Sequence, residues 1–98
     1  MNKGKTMFQH DNLHFSLPNG DTLSIACLNG RYEVAILRGA SPGGDFVPVT
    51  EWLHAGYDGD VYPIDNSAHT VASIFGAALR WAEGEKKRTI ALALDQAL

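Results

Sequence analysis

Two runs of alternating apolar and polar residues meet at Pro18-Asn19-Gly20-Asp21, and that junction constrains the chain more than any other feature. Before it, Leu13, Phe15 and Leu17 alternate with His14 and Ser16; after it, Leu23 and Ile25 alternate with Thr22, Ser24 and Ala26. A period of two is the signature of a strand with one buried face. Asn-Gly tolerates the positive φ angles of the turns that match strand twist, so the pattern predicts a hairpin. A second Asn-Gly, Asn29-Gly30, leads into Arg31 to Leu37, where Tyr32, Val34 and Ile36 share one face against Arg31, Glu33 and Ala35. Three consecutive strands then form an antiparallel meander.

Beyond the meander, Gly39 to Asp45 holds three Gly and one Pro, a composition that predicts a protruding flexible loop. Phe46-Val47-Pro48-Val49-Thr50 suits a fourth strand. Because Pro48 has no amide hydrogen to donate, that strand belongs at an edge or a bulge. Glu51 to Asn66 contains the breakers Gly56, Gly59 and Pro63 together with Trp52, Tyr57 and Tyr62, with a short strand at Val61-Tyr62. Next, Val71, Ile74, Phe75, Ala78, Leu79 and Ala82 recur at helical spacing, and Asp65, Asn66 or Ser67 offers the N-cap oxygen. Gly84 reads as a C-terminal cap, with Glu85 to Ala97 as a second helix, although Ile90, Leu92 and Leu94 equally suit a strand.

The expected architecture is α+β: a three- to four-stranded antiparallel meander packed against C-terminal helix, one long or two short. At 98 residues with 45% hydrophobic composition, a single domain over 1–98 with one core is expected, of which 1–11 form a flexible lead. Cys27 is the lone cysteine, which rules out an internal disulfide and a cysteine-based zinc cage and fits a reducing cytoplasm. Met1 to Gln9 lacks the apolar run of a signal peptide, and Ile74 to Leu79 is too short to span a bilayer.

Catalytic and metal chemistries find little support. His10 and His14 are separated along a strand by roughly 13 Å, too far to share one ion. Asp58-Gly59-Asp60 with Asp65 lacks the ligand spacing and closing Glu of a calcium loop. No nucleophile with a base and orienting group surrounds Cys27 or any Ser or Thr, and Gly39 to Gly44 lacks the Lys-Ser/Thr of a phosphate loop. The chain therefore reads as a non-catalytic binding protein without cofactor or metal.

Its charge distribution points to the surface that binds. The net charge of −3 argues against a general nucleic-acid binder. From Gly39 to Leu79 there is no Lys or Arg, yet Asp45, Glu51, Asp58, Asp60 and Asp65 all fall there. Unopposed carboxylates attract a basic partner, and Tyr and Trp are frequent interface anchors. The candidate partner-binding residues are therefore Asp45, Glu51, Trp52, Tyr57, Asp58, Asp60 and Tyr62. The alternative reading places Trp52 and Tyr62 under a loop as caps on the core. On the helix, Ser73, Gly76, Ala77 and Trp81 form a candidate homodimer interface, since a face of small residues is poorly suited to open water.

This order of parts, a hairpin around Pro18-Asn19-Gly20-Asp21, the strand Gly30 to Leu37, an irregular acidic loop and an Ala-rich helix, resembles the small accessory proteins of phages and prophages. Anti-CRISPR proteins belong to that group. The resemblance covers roughly residues 12 to 83 and implies an inhibitor of a host defence complex that occupies a binding surface, often with acidic side chains in place of phosphates. The group shares no site motif, so it assigns no residue a role. Two functions follow as expectations: an inhibitor that meets a basic host protein or nucleoprotein complex, or a binder of a nucleotide-like small molecule held by Arg31, Arg38 or Lys86 to Arg88. A structural or assembly role is the third.

Overall fold

The computed structural model describes residues 12–28, 30–40, 44–53, 58–65 and 67–97. His10, Tyr57 and the lead over 1–11 lie outside the described residues. The fold is α+β. Strands β1 (Asn12–Ser16), β2 (Thr22–Leu28) and β3 (Arg31–Leu37) are followed by β4 (Phe46–Val47), helix α1 (Val49–Trp52), β5 (Tyr62–Ile64) and helix α2 (Ala68–Ala97). The sheet has five strands, all antiparallel, in the order β1-β2-β3-β4, with β5 also on β3.

The meander forms where the turn chemistry places it. Gly20 and Gly30 both adopt the positive φ, 93° and 77°, that the two reversals require. The register sets Phe15 opposite Leu23, Leu23 opposite Ile36, and Ile25 opposite Val34, so one face of the sheet is apolar across three strands. β3 is its centre. At one end Ile36 and Leu37 pair with β4; at the other Tyr32 to Val34 pair with β5, so two short strands share the edge that one longer strand would fill.

Helix α2 lies across that apolar face. Ile74, Ala78 and Ala82 are buried with Leu23, Ile25, Val34 and Ile36 in a core that also takes in Leu17, Val47, Val49, Trp52 and Ile64. The two alanines carry no bulk, which lets the helix backbone come close to the sheet. Ser67 is the cap: its Oγ accepts from the Thr70 backbone N–H at 3.1 Å, and its own N–H donates to Asp65 Oδ1 at 3.0 Å. These hydrogen bonds hold the Asp65 carboxyl below its usual range, the Ser67 backbone N–H first, then the Thr70 and Ser67 hydroxyls.

Two local expectations are corrected. Phe46 to Thr50 is not one strand: after β4 the chain coils at Pro48 into α1, and the Val49 N–H donates to the Gly59 carbonyl. Gly84 does not end a helix, and Glu85 to Ala97 is neither separate helix nor strand; α2 runs unbroken through it. The centre of the expected Gly39 to Asp45 loop, residues 41–43, lies outside the described residues, and its flanks are hydrogen-bonded. Asp21 accepts from the Gly39 N–H, and the Arg38 N–H donates to the Asp45 carbonyl.

Candidate interaction surface

Arg38 organises the end of the sheet where the acidic residues gather. Its Nη1 donates to Asp21 Oδ2 and its Nη2 to Glu51 Oε2, each at 3.1 Å, while the guanidinium carbon lies 5.6 Å from the centre of the Trp81 ring. Four separate pieces of chain meet there: the β1–β2 turn, the end of β3, α1 and α2. The Asp21 carboxylate is the buried half of this knot and also accepts from the Asn19 amide at 2.9 Å and the Gly39 N–H at 3.0 Å. Thr22, buried beside it, donates from Oγ1 to the Gly39 carbonyl at 2.7 Å.

This arrangement divides the acidic residues into two groups. Asp21 and Glu51 are neutralised by Arg38, a cation just outside the Lys- and Arg-free stretch. Asp45, Asp58 and Asp60 are exposed and make no ion pair among the described residues. The hydrogen bond from Val49 to Gly59 pins the Asp58–Asp60 turn to the start of α1, only a few residues along the chain from Asp45. Asp45 thus adjoins β4 and the Asp58–Asp60 turn adjoins the start of α1, and no described cation neutralises any of the three.

The aromatic candidates separate differently. Trp52 is 2% exposed and belongs to the core, which removes it from the partner-binding set. Its indole Nε1–H is buried without a hydrogen-bond partner among the described residues. Val49 and Trp52 stand three apart, a helical spacing that turns both inward on α1, and this is the signal that reading the segment as a strand concealed. Tyr62 is half-buried against the core in β5, and Tyr57 lies outside the described residues. Glu51 is exposed but already bonded to Arg38.

The helix candidates are also redistributed. Ser73 is exposed and Gly76 partly covered, whereas Ala77 and Trp81 pack against the chain's own core. A depression of about 620 Å³ opens on another side of α2, lined by Ile25, Tyr32, Val71, Phe75, Gly76 and Leu79 among others. Phe15 stands beside it, edge-on to Phe75 with ring centroids 5.4 Å apart. Sequence periodicity assigned Phe75 and Leu79 to the core stripe; Leu79 is instead 43% exposed.

Among the described residues no cluster of His, Cys, Asp or Glu could hold a metal ion, and no helix is long and apolar enough to cross a membrane. Comparison with family models, curated proteins and solved structures finds no match to the chain.

Proposed function

We propose that this chain is a non-catalytic interaction protein that engages a basic partner through the acidic sheet edge at Asp45, Asp58 and Asp60. The observation that carries this reading is the unequal use of charge: Arg38 satisfies Asp21 and Glu51, and the exposed carboxylates of Asp45, Asp58 and Asp60 have no cation among the described residues. Negative potential left unopposed at one edge attracts positively charged surfaces and speeds their encounter. In the setting that the sequence resemblance suggests, the partner is a nucleic-acid-handling component of a host defence system in the reducing cytoplasm, and the protein acts by occupying its basic surface.

The nucleotide reading is less well supported by the geometry. Arg38 is held by two carboxylates, Arg31 is at the far end of β3, and Lys86 to Arg88 lie in the second half of α2. The large depression is lined by apolar side chains and contains no cation to meet a phosphate.

The test is an affinity capture from bacterial lysate with the tagged protein, run beside a version carrying Asp45→Lys, Asp58→Lys and Asp60→Lys. All three residues are exposed, so the fold survives reversal. The expected result is a basic protein retained by the native chain at low salt, released as salt rises, and absent with the reversed chain. Equal retention by both versions would remove the acidic edge from the function.

A further inference from the structure

Helix α2 carries a second surface, independent of the acidic edge. Thirty residues of helix extend roughly 45 Å, about twice the length of the seven-residue central strands. Past Ala82 no residue of α2 is buried, and Ile90 and Leu94 are 50% and 62% exposed. The first half has its own apolar side, exposed at Ala72 and Leu79 and partly covered at Gly76. These two surfaces lie on the same side of the helix. Ala72, Gly76, Leu79, Glu83, Lys86, Ile90, Ala93 and Ala97 follow one another at spacings of four and three, the seam of a heptad repeat.

Along this side the body provides a trough. The apolar depression of about 620 Å³ lies against Ala72 to Leu79, and a second of about 410 Å³ lies against Glu83 to Ile90, with Pro18 of the β1–β2 turn on its far wall. The sequence of the seam identifies what fits there. Laid antiparallel on a copy of itself about a two-fold axis between Gly84 and Glu85, it matches Ala72 with Ala97, Gly76 with Ala93, Leu79 with Ile90, and Glu83 with Lys86. Small meets small, large apolar meets large apolar, and the one acid meets the one base. Within the single chain Glu83 and Lys86 are both exposed and neither has an ion-pair partner among the described residues, whereas neighbouring Glu85 and Arg88 pair with each other at 3.2 Å.

We infer that the chain forms a two-fold homodimer in which the last two turns of α2 of each copy lie over the apolar depression of the other. A two-fold interface is self-complementary by construction, and this seam is self-complementary in size, polarity and charge. Arg80 currently lies across Gly76 and swings aside as the partner helix arrives; a Cβ at Gly76 would stand 3.1 Å from its Nη1. On the outer flank Arg80 approaches Lys87 of the second copy, a like-charge pair in open solvent. Replacing Arg80 by Glu is therefore expected to tighten the dimer.

Light scattering coupled to gel filtration tests the assembly, and paired variants test its register. The native chain is expected to run at twice its 10.6 kDa mass. Glu83→Lys and Lys86→Glu, separately, raise the dimer dissociation constant by about tenfold or more, and the double exchange restores it. In a Cys27→Ser background, Leu79→Cys with Ile90→Cys oxidises to a covalent dimer, whereas Leu79→Cys with Ala97→Cys does not. Circular dichroism accompanies each variant, since none of these side chains belongs to the buried core. A monomer at all concentrations overturns the inference, and so does a dimer indifferent to both single charge changes. Neither result bears on capture through the acidic edge.

Discussion

The two halves of α2 are one continuous helix in two different environments. Up to Ala82 the sheet supplies the environment: Ile74, Ala78 and Ala82 are buried on it, and Trp81 is covered by Arg38. Beyond Ala82 the helix continues for four turns with Ile90, Leu92 and Leu94 in the open. Isolated helices of that length are marginal in water, so the second half takes its order from the first, which acts as its nucleus. The difference teaches that helical periodicity in a sequence specifies a face without specifying what covers it.

The comparison breaks first at the core. Trp52→Ala empties the largest fully buried side chain and is expected to cost about 3–5 kcal/mol in denaturant unfolding. A loss under 1 kcal/mol would mean that α1 is peripheral. Asp21→Ala removes the acceptor for Asn19, Gly39 and Arg38; with the half-exposed Arg38 contact discounted, a loss of about 2 kcal/mol is expected by thermal unfolding. Gly84→Ala works in the opposite direction. It adds a methyl group into open space in mid-helix and should stabilise the protein by about 0.5–1 kcal/mol, whereas a loss would require a close neighbour at that position. Leu92→Ala, on the outer arm, should change stability by less than about 0.5 kcal/mol.

The smallest effect concerns Asp65 at the head of the helix. Its folded pKa lies below the ordinary 3.8, so its stabilisation is fully present above the unfolded value and is lost as pH falls through the lower folded value. Acid titration of stability should therefore be shallower in Asp65→Ala below about pH 4 than in the native protein. Identical titrations would assign the acid sensitivity to other carboxylates.

What could be read from the sequence was what local chemistry decides. Asn19-Gly20 and Asn29-Gly30 encode their turns without help from the rest of the chain, and the three strands they join are placed within a residue or two. The antiparallel α+β class follows from them; the helix start was legible as one of Asp65, Asn66 or Ser67, and Ser67 is the residue that caps it. The segments missed were those decided at a distance. Val49 to Trp52 turns helical where its first N–H is taken by Gly59 and its apolar pair is taken by the core. The short strand expected at Val61-Tyr62 forms one residue later, at Tyr62–Ile64, where the first half of β3 has an open edge. Gly84 stays helical because the residues on both sides hold it there at a cost of only about 1 kcal/mol. For the candidate site, the free carboxylates at Asp45, Asp58 and Asp60 were legible as a run without cations. The withdrawal of Glu51 was not, since Arg38 reaches it only after folding, whereas the burial of Trp52 was the alternative the sequence left open.

The strand order has a kinetic consequence. Because β1, β2 and β3 are neighbours in sequence as well as in space, most of the sheet is assembled by short closures, each with a small loop entropy to overcome. Joining β5 to β3 closes the longest loop in the sheet, Val34 to Tyr62, and that step has the greatest entropic barrier. Refolding should accordingly show the hairpins protected from hydrogen exchange ahead of β5, with any pairing of the outer helical turns appearing as a later phase whose rate depends on protein concentration.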